Sequence, residues 1–375
     1  TSLPCTSDHC CGLVANKSYL RAWNLSYLYH YYWLLFTNYF ISKNMDSSTA
    51  AIKLLNTVPI IDAIALFDSC HSGHSEAKAQ LALALSSTGF LVLRNSGVKP
   101  SEAIATYNSL FRAPPSVKTA VDMKYTKSNR GWGCAGAERV NSTLNPDYKE
   151  FFDSGVELPE DSPLKTLRYH DPNLWPDIPN FKEKLVDYFE RAHDTCMKLL
   201  IAIAKSLGYP EDFFFSSFTS PMSLLRGNFY PPRPTTATER DFGIAPHTDY
   251  GFLTLVSSDG VPGLEILDAG GDWACINPTE PGDCVVNFGE MLDIWSGGRA
   301  KATLHRVVGH ASMQRTSCAY FFNPNYDTVL SQSHSGSTDK PIIAGEYLTK
   351  RYNETYMHIT ADAAVETQEG STIKT

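Results

Sequence analysis

The sequence lacks several features that would place a protein in a class at once. It has no basic block: 32 Lys and Arg stand against 40 Asp and Glu, a net charge of -8. That argues against a general nucleic-acid partner, because phosphate backbones need clustered positive charge. It has no C-x-x-C pair, and its nine cysteines are an odd number. Beyond the N-terminus they are scattered, at Cys70, Cys134, Cys196, Cys275, Cys284 and Cys318. Such spacing fits reduced thiols in a cytoplasmic protein better than a disulfide framework. No internal repeat or low-complexity segment is visible. The aromatic stretch "YLRAWNLSYLYHYYWLLFTNYFI" is broken by Arg21, Asn24, His30 and Asn38, so it falls short of the roughly 20 mostly apolar residues of a clean spanning helix. It also lacks the basic start and small-residue cleavage site of a signal peptide. Residues 1–44 are therefore expected to be an atypical leader outside the working fold, which begins near Met45.

What is present is an ordinary globular composition, 43% hydrophobic and 19% charged, long enough for a sizeable core. "TVPIIDAIAL" (57–66) reads as a short strand. "SEAKAQLALALSSTGFLVLRNSGV" reads as a helix ending at Gly89, then a strand from Phe90. Residues 179–209 read as a long amphipathic helix stopped by Gly208 and Pro210. The first half is thus expected to be mainly helical. From Met222 the character changes. "SLLRGNFY", "FLTLVSS", "LEILDA", "WACINP", "CVVNFG", "ATLHRVVGH" and "TSCAYFFNP" are short apolar runs separated by Gly, Pro, Asp and Asn, the signature of a sandwich or barrel. "IAGEYLTKRYNETYM" reads as a closing helix, with a mobile tail beyond Ala364.

One stretch, "APHTDYGFLTLVSSDG" (245–260), carries chemistry. His247 and Asp249 stand two apart at the mouth of an apolar strand, and on a strand such residues share a face. Alone, the pair reads as a hydrogen-bonded His–Asp couple. A third candidate, His305, lies on another strand of the same region, with His310 as a possible substitute. Two histidines and one carboxylate spaced H-x-D…H match the facial triad that holds non-haem Fe(II) with coordination positions left open. Downstream, Arg315 and Ser317 alternate onto one strand face, where a guanidinium fork and a hydroxyl can grip a carboxylate. Asn228 and Tyr230 alternate likewise before "PP". Each of these pairs alone is also what a surface ion pair or an aromatic core would show. Glu290 and Asp293 read as helix-turn residues, and His71 and His74 as loop residues.

Together, "NFYPP", "HTDYGFLTL", "GVPGLEI", "VVNFGEMLDIWSGG", "ATLHRVV" and "RTSCAYFFNPN" resemble, in order and spacing, the iron- and 2-oxoglutarate-dependent dioxygenases of the isopenicillin N synthase-like group. "VPIIDAIAL", "TGFLVLRNSGV", "DYKEFFDSG" and "NLWP" resemble the N-terminal region of that family. The resemblance spans roughly residues 57–330. It implies a mainly β fold with flanking helices, built on a double-stranded β-helix, or jelly-roll, core. It implies an N-terminal region over 45–210, the dioxygenase β-core over 220–330, and a C-terminal helix and tail over 331–375. It implies Fe(II) held by His247, Asp249 and His305, and 2-oxoglutarate held by Arg315, Ser317 and Tyr230, with Asn228 as a weaker contact. The implied reaction uses O2 to hydroxylate, desaturate or cyclise a small molecule, releasing succinate and CO2; no membrane or nucleic-acid partner is expected. Two departures, "NSGV" where the family often has Asn-His-Gly and Ala302 where Ser is usual, avoid every ligand position and bear on the substrate instead. Two other readings stay open: an oxidase of the same fold that does not use 2-oxoglutarate, as isopenicillin N synthase and aminocyclopropane-carboxylate oxidase are, and a catalytically silent jelly-roll module.

Overall fold

The computed structural model describes residues 58–276, 280–331 and 340–357; the leader over residues 1–44 and the tail beyond Ala364 lie outside them. The chain opens with β1 (Ile60–Asp62), α1 (Ala63–Phe67), α2 (His74–Leu83), β2 (Phe90–Arg94), α3 (Pro100–Phe111) and α4 (Pro115–Thr119). β3 (Gly131–Gly133), β4 (Glu150–Gly155) and the long α5 (Phe181–Ser206) follow. The β-rich half holds β5 (Leu224–Tyr230), β6 (Ile244–His247), β7 (Leu253–Ser258), β8 (Leu264–Leu267), β9 (Trp273–Cys275) and β10 (Cys284–Phe288). After α6 (Glu290–Ser296) come β11 (His305–Val307), β12 (Arg315–Phe322), β13 (Val329–Ser331), β14 (Ile342–Ile343) and α7 (Ala344–Thr355).

Eight strands form one sheet in the order β1-β2-β10-β7-β12-β5-β4-β3, and β6-β11-β8-β9 form a second. Side chains alternate across the larger sheet. On one side, Leu225, Leu255, Val286, Cys318 and Tyr320 share a core with Leu185, Tyr188, Cys196 and Leu199 of α5. On the other, Val285 and Tyr230 pack with Leu264, Ile266 and Val307 of the smaller sheet. The two sheets thus face each other across a second, smaller core, the jelly-roll arrangement, with helices covering the outer face. The long helix forms because its apolar residues recur every three to four positions, and it ends where Gly208 turns left-handed at φ 75°. α3 crosses the sheet closely because residue 227 is glycine: a Cβ there would lie 2.1 Å from the Tyr107 ring.

One expectation needs correction: "TVPIIDAIAL" is not one strand. Pairing stops after Asp62, whose carboxylate accepts from the Ile64 amide at 3.0 Å and starts α1. The first half is mainly helical, as read, and its short strands also supply both edges of the large sheet, β1 and β2 at one and β3 and β4 at the other. A short apolar run carries no periodicity that separates strand from helix, and the pairing partners of these strands lie far along the chain. The described cysteines are unpaired thiols. Among the described residues no helix is long and apolar enough to cross a membrane.

Candidate active site

His247 is the last residue of β6 and His305 the first of β11, and the two are direct partners across this antiparallel pair. Their rings lie 4.3 Å apart between centroids. Asp249 is beyond the end of β6, so strand alternation does not orient it as the sequence reading supposed. The turn does so, with one near brace and one distant one. Its Oδ2 accepts from Asn287 Nδ2 of β10 at 2.7 Å and from the Thr254 hydroxyl of β7. That leaves Oδ1 facing the histidines, 3.5 Å from Nε2 of His247 and 3.5 Å from Nε2 of His305.

The imidazoles are pinned as well. Nδ1–H of His247 donates to the Ala245 carbonyl at 2.8 Å, and Nδ1–H of His305 to the Thr303 carbonyl at 3.1 Å. A carbonyl can only accept, so each Nδ1 carries a proton and Nε2 is the nitrogen of each ring left to face Asp249. Fixing the second nitrogen by a backbone acceptor is how proteins orient metal-binding histidines. Burial alone would raise the Asp249 carboxyl, but the rings of His305 and His247 hold it well below the usual carboxylate range. Burial opposes a charge on His305, yet Asp249 raises its pKa. Three ligand atoms, two nitrogens and a carboxylate oxygen, lie within 4.8 Å of one another. This donor set fits Fe(II). His310 is not among them; its Nδ1 accepts from the Ser312 and Met313 amides.

The triad opens into a cavity of about 1010 Å³, counting its solvent-open mouth. β5 and β12 run along one wall, in the register Arg315↔Tyr230, Ser317↔Asn228, Ala319↔Arg226 and Phe321↔Leu224. All four sequence candidates therefore occupy two adjacent rows. Arg315 is buried; its Nε donates to the Val261 carbonyl at 3.1 Å, while its Nη1 has no partner. Oδ1 of Asn228 is likewise buried and unpartnered. Burial pushes the Tyr230 phenol up, against the pull of Arg315, so its hydroxyl stays protonated. A buried guanidinium nitrogen without an acceptor is costly unless a ligand supplies one, and a carboxylate matches it.

Sequence reading missed part of this site. Asn287 and Thr254 are polar residues inside apolar strands, a visible signal. Glu138, Lys149 and Arg226 line the cavity as a buried ion network, and Leu348, Tyr352 and Tyr356 line it from α7 and the residue after it. Against the cost of burial, Arg226 and Lys149 hold the Glu138 carboxyl down at about 2. Phe321 and Asn323 also line the cavity, whereas 231–243, the loop after Tyr230, does not. Glu290 sits in α6, as read, and accepts from Thr248, Tyr347 and Arg351.

The Asn287 brace is testable. Asn287→Ala is expected to weaken divalent-metal affinity by about 10- to 100-fold, the usual cost of losing an outer partner of a metal ligand, with little change in folding. Calorimetric titration with Mn(II) reads this directly, and unchanged affinity would show that Thr254 suffices.

Comparison with known proteins agrees with this geometry. The 2OG-Fe(II) oxygenase superfamily model matches residues 221–324, and the model described as "non-haem dioxygenase in morphine synthesis N-terminal" matches residues 58–178. The 2-oxoglutarate-dependent dioxygenase ecdK of Aspergillus rugulosus is 32% identical over 308 residues, covering 72% of this chain and 90% of that protein. Gibberellin 20 oxidase 2 of Oryza sativa subsp. indica is 30% identical over 302 residues, covering 80% and 75%. Among solved structures, a full-length Neurospora crassa protein in complex with alpha-KG and thymine aligns with a TM-score of 0.65 and 27% identity, covering 78% of this chain and 96% of that one. JOX2 in complex with 2OG, Fe and JA aligns with a TM-score of 0.63 and 25% identity, covering 78% and 84%. Relatedness over this much of the chain, with both family models in sequence order on one jelly roll, means that the protein belongs to the Fe(II)- and 2-oxoglutarate-dependent dioxygenases.

Proposed function

We propose that His247, Asp249 and His305 hold the Fe(II), that Arg315, Ser317, Tyr230 and Asn228 hold 2-oxoglutarate, and that the enzyme oxidises a small molecule seated beyond them in the same cavity. When bound, Fe(II) supplies the redox chemistry that couples decarboxylation of 2-oxoglutarate and reduction of O2 to oxidation of the substrate. The chain's own residues do the rest. His247 and His305 present Nε2 because backbone carbonyls hold their Nδ1 protons. Asp249 presents one oxygen because Asn287 and Thr254 occupy the other. Arg315 pairs with the far carboxylate of 2-oxoglutarate, and the Ser317 and Tyr230 hydroxyls add hydrogen bonds to it. Residues from α7 form a wall of the cavity, limiting water at the site.

In this reading the N-terminal region frames the site, 220–330 carry the chemistry and α7 closes the cavity. The unpaired thiols support a reducing, cytoplasmic setting.

The carrying observation is the buried, unpartnered Arg315 Nη1 in the cavity that also contains the triad. A co-substrate anchored there and chelating the metal should bind only after the metal. Anaerobic calorimetry with Mn(II) in place of Fe(II) is expected to show one 2-oxoglutarate per chain, with affinity at least tenfold lower when the metal is withheld. Equal affinity with and without metal would overturn the chelating arrangement.

A further inference from the structure

The wall that begins with Arg315 continues past the co-substrate rows. Alternate residues of β12 and β5 face the cavity, so the rows proceed from Ser317/Asn228 to Ala319/Arg226 and then Phe321/Leu224. At about 3.4 Å per residue, each row is about 7 Å from the next. With 2-oxoglutarate on the first two rows, the third and fourth face the substrate. Around them stand Val140, Tyr250, Leu348 and Tyr352.

Beyond the triad and Arg315, the charged side chains among the described residues lining this cavity are Arg226, Lys149 and Glu138. All are already spent. Arg226 Nε and Nη2 take both oxygens of Asp153 at 2.7 and 2.6 Å, and Nη1 lies 2.8 and 3.0 Å from the two oxygens of Glu138. Nη2 also donates to the Tyr356 hydroxyl at 2.8 Å. Lys149 Nζ donates to Glu138 at 2.6 Å and Asp147 at 3.3 Å. The other Asp147 oxygen accepts from the Ala245 amide at 3.1 Å. An anionic substrate would have to strip Arg226 or Lys149 from buried carboxylates. A cationic one would have to displace them from those same carboxylates. Either exchange leaves a buried charge uncompensated. The remaining surface beside these rows is mostly aliphatic and aromatic; its polar exceptions include the uncharged Asn323, whose Oδ1 is buried without a partner, and Thr355.

We infer that the enzyme takes an uncharged, largely apolar, ring-bearing substrate that lies across the Ala319/Arg226 and Phe321/Leu224 rows, and that it discriminates against free carboxylates and ammonium groups. The inference rests on the proposed placement of 2-oxoglutarate on the first two rows.

The test uses the full chain loaded with Mn(II) and 2-oxoglutarate under anaerobic conditions. Two sets of ring probes, each in anionic, neutral and cationic form, are titrated by calorimetry: cinnamate, cinnamamide and cinnamylamine; and naphthalene-1-acetate, its amide and the matching ethylamine. In each set the neutral form should bind at least tenfold tighter than either charged form. Phe321→Lys, with Leu224→Lys as a second variant on the same row, should shift preference toward the acid by tenfold or more. A charged form that equals or exceeds its neutral counterpart in the wild type would overturn the inference. An unchanged order in both lysine variants would overturn the placement of substrate on these rows. Absence of 2-oxoglutarate binding to the wild type would overturn the underlying reading, and the inference with it.

Discussion

His305→Ala is expected to reduce succinate release to background, while His310→Ala leaves it within about twofold of wild type. The contrast follows from position, since both residues are histidines five apart on the same stretch. His305 is buried opposite His247, with its Nε2 3.5 Å from Asp249 Oδ1. His310 uses its Nδ1 to accept backbone amides of its own turn. Removing His305 would take away one of the three proposed ligands and leave the buried Asp249 carboxylate with a single imidazole beside it. An outer partner of a ligand is worth about 10- to 100-fold in metal affinity, so loss of a ligand itself should cost more than that. Metal content after anaerobic Fe(II) loading and desalting, measured beside turnover, separates a lost ligand from a damaged fold. Activity that survives in His305→Ala and disappears in His310→Ala would reassign the third ligand.

The second large effect is expected at Arg315. Arg315→Leu should weaken 2-oxoglutarate binding by one to two orders of magnitude or more, with Fe(II) still bound. A hydrogen bond to a charged group contributes about 1.5 to 3 kcal/mol, and leucine would also leave the ligand's carboxylate desolvated without a partner. Ser317→Ala and Tyr230→Phe each remove a single hydroxyl and should cost less than Arg315→Leu, which removes the paired charge as well. Arg315→Lys should not restore full affinity, because an ammonium cannot donate to Val261 and keep a planar fork on the ligand. Calorimetry on the metal-loaded protein reads all four variants. Wild-type affinity in Arg315→Leu would place the anchor elsewhere.

The residues of this site differ in how far the sequence revealed them, and the difference is one of range. Strand alternation put Arg315 with Ser317 and Asn228 with Tyr230, because period-2 patterns are local; that the two pairs meet in facing rows required the β5–β12 register. His247 and His305 were legible as H-x-D…H, yet the reason given for Asp249 was wrong. β6 ends at His247, and the carboxylate is aimed by Asn287, 38 residues away. The Glu138–Lys149–Arg226 network was invisible for the same reason: Arg226 meets Glu138 across 88 residues, and nothing local marks a buried charge as paired. The long helix and the β-rich half were read well because their periodicity is sustained. The three-residue strand at Ile60 was not, because it is too short to have a period.

The order of the large sheet has a consequence for anyone cutting this chain. β10 pairs with β2 on one side and β7 on the other, while β5 pairs with β12 and β4. The segments matched by the two family models therefore contribute strands to a single hydrogen-bonded sheet. Expressing either alone would bare long rows of unpaired backbone N–H and C=O groups along hydrophobic strands, the surface on which chains aggregate. The boundary near residue 210 divides the sequence without dividing the folded body. The smallest expressible unit that contains the triad is both sheets together, because His247 and His305 lie on the smaller one and the larger one draws strands from both matched segments, and recombination between relatives should succeed by exchanging loops rather than halves.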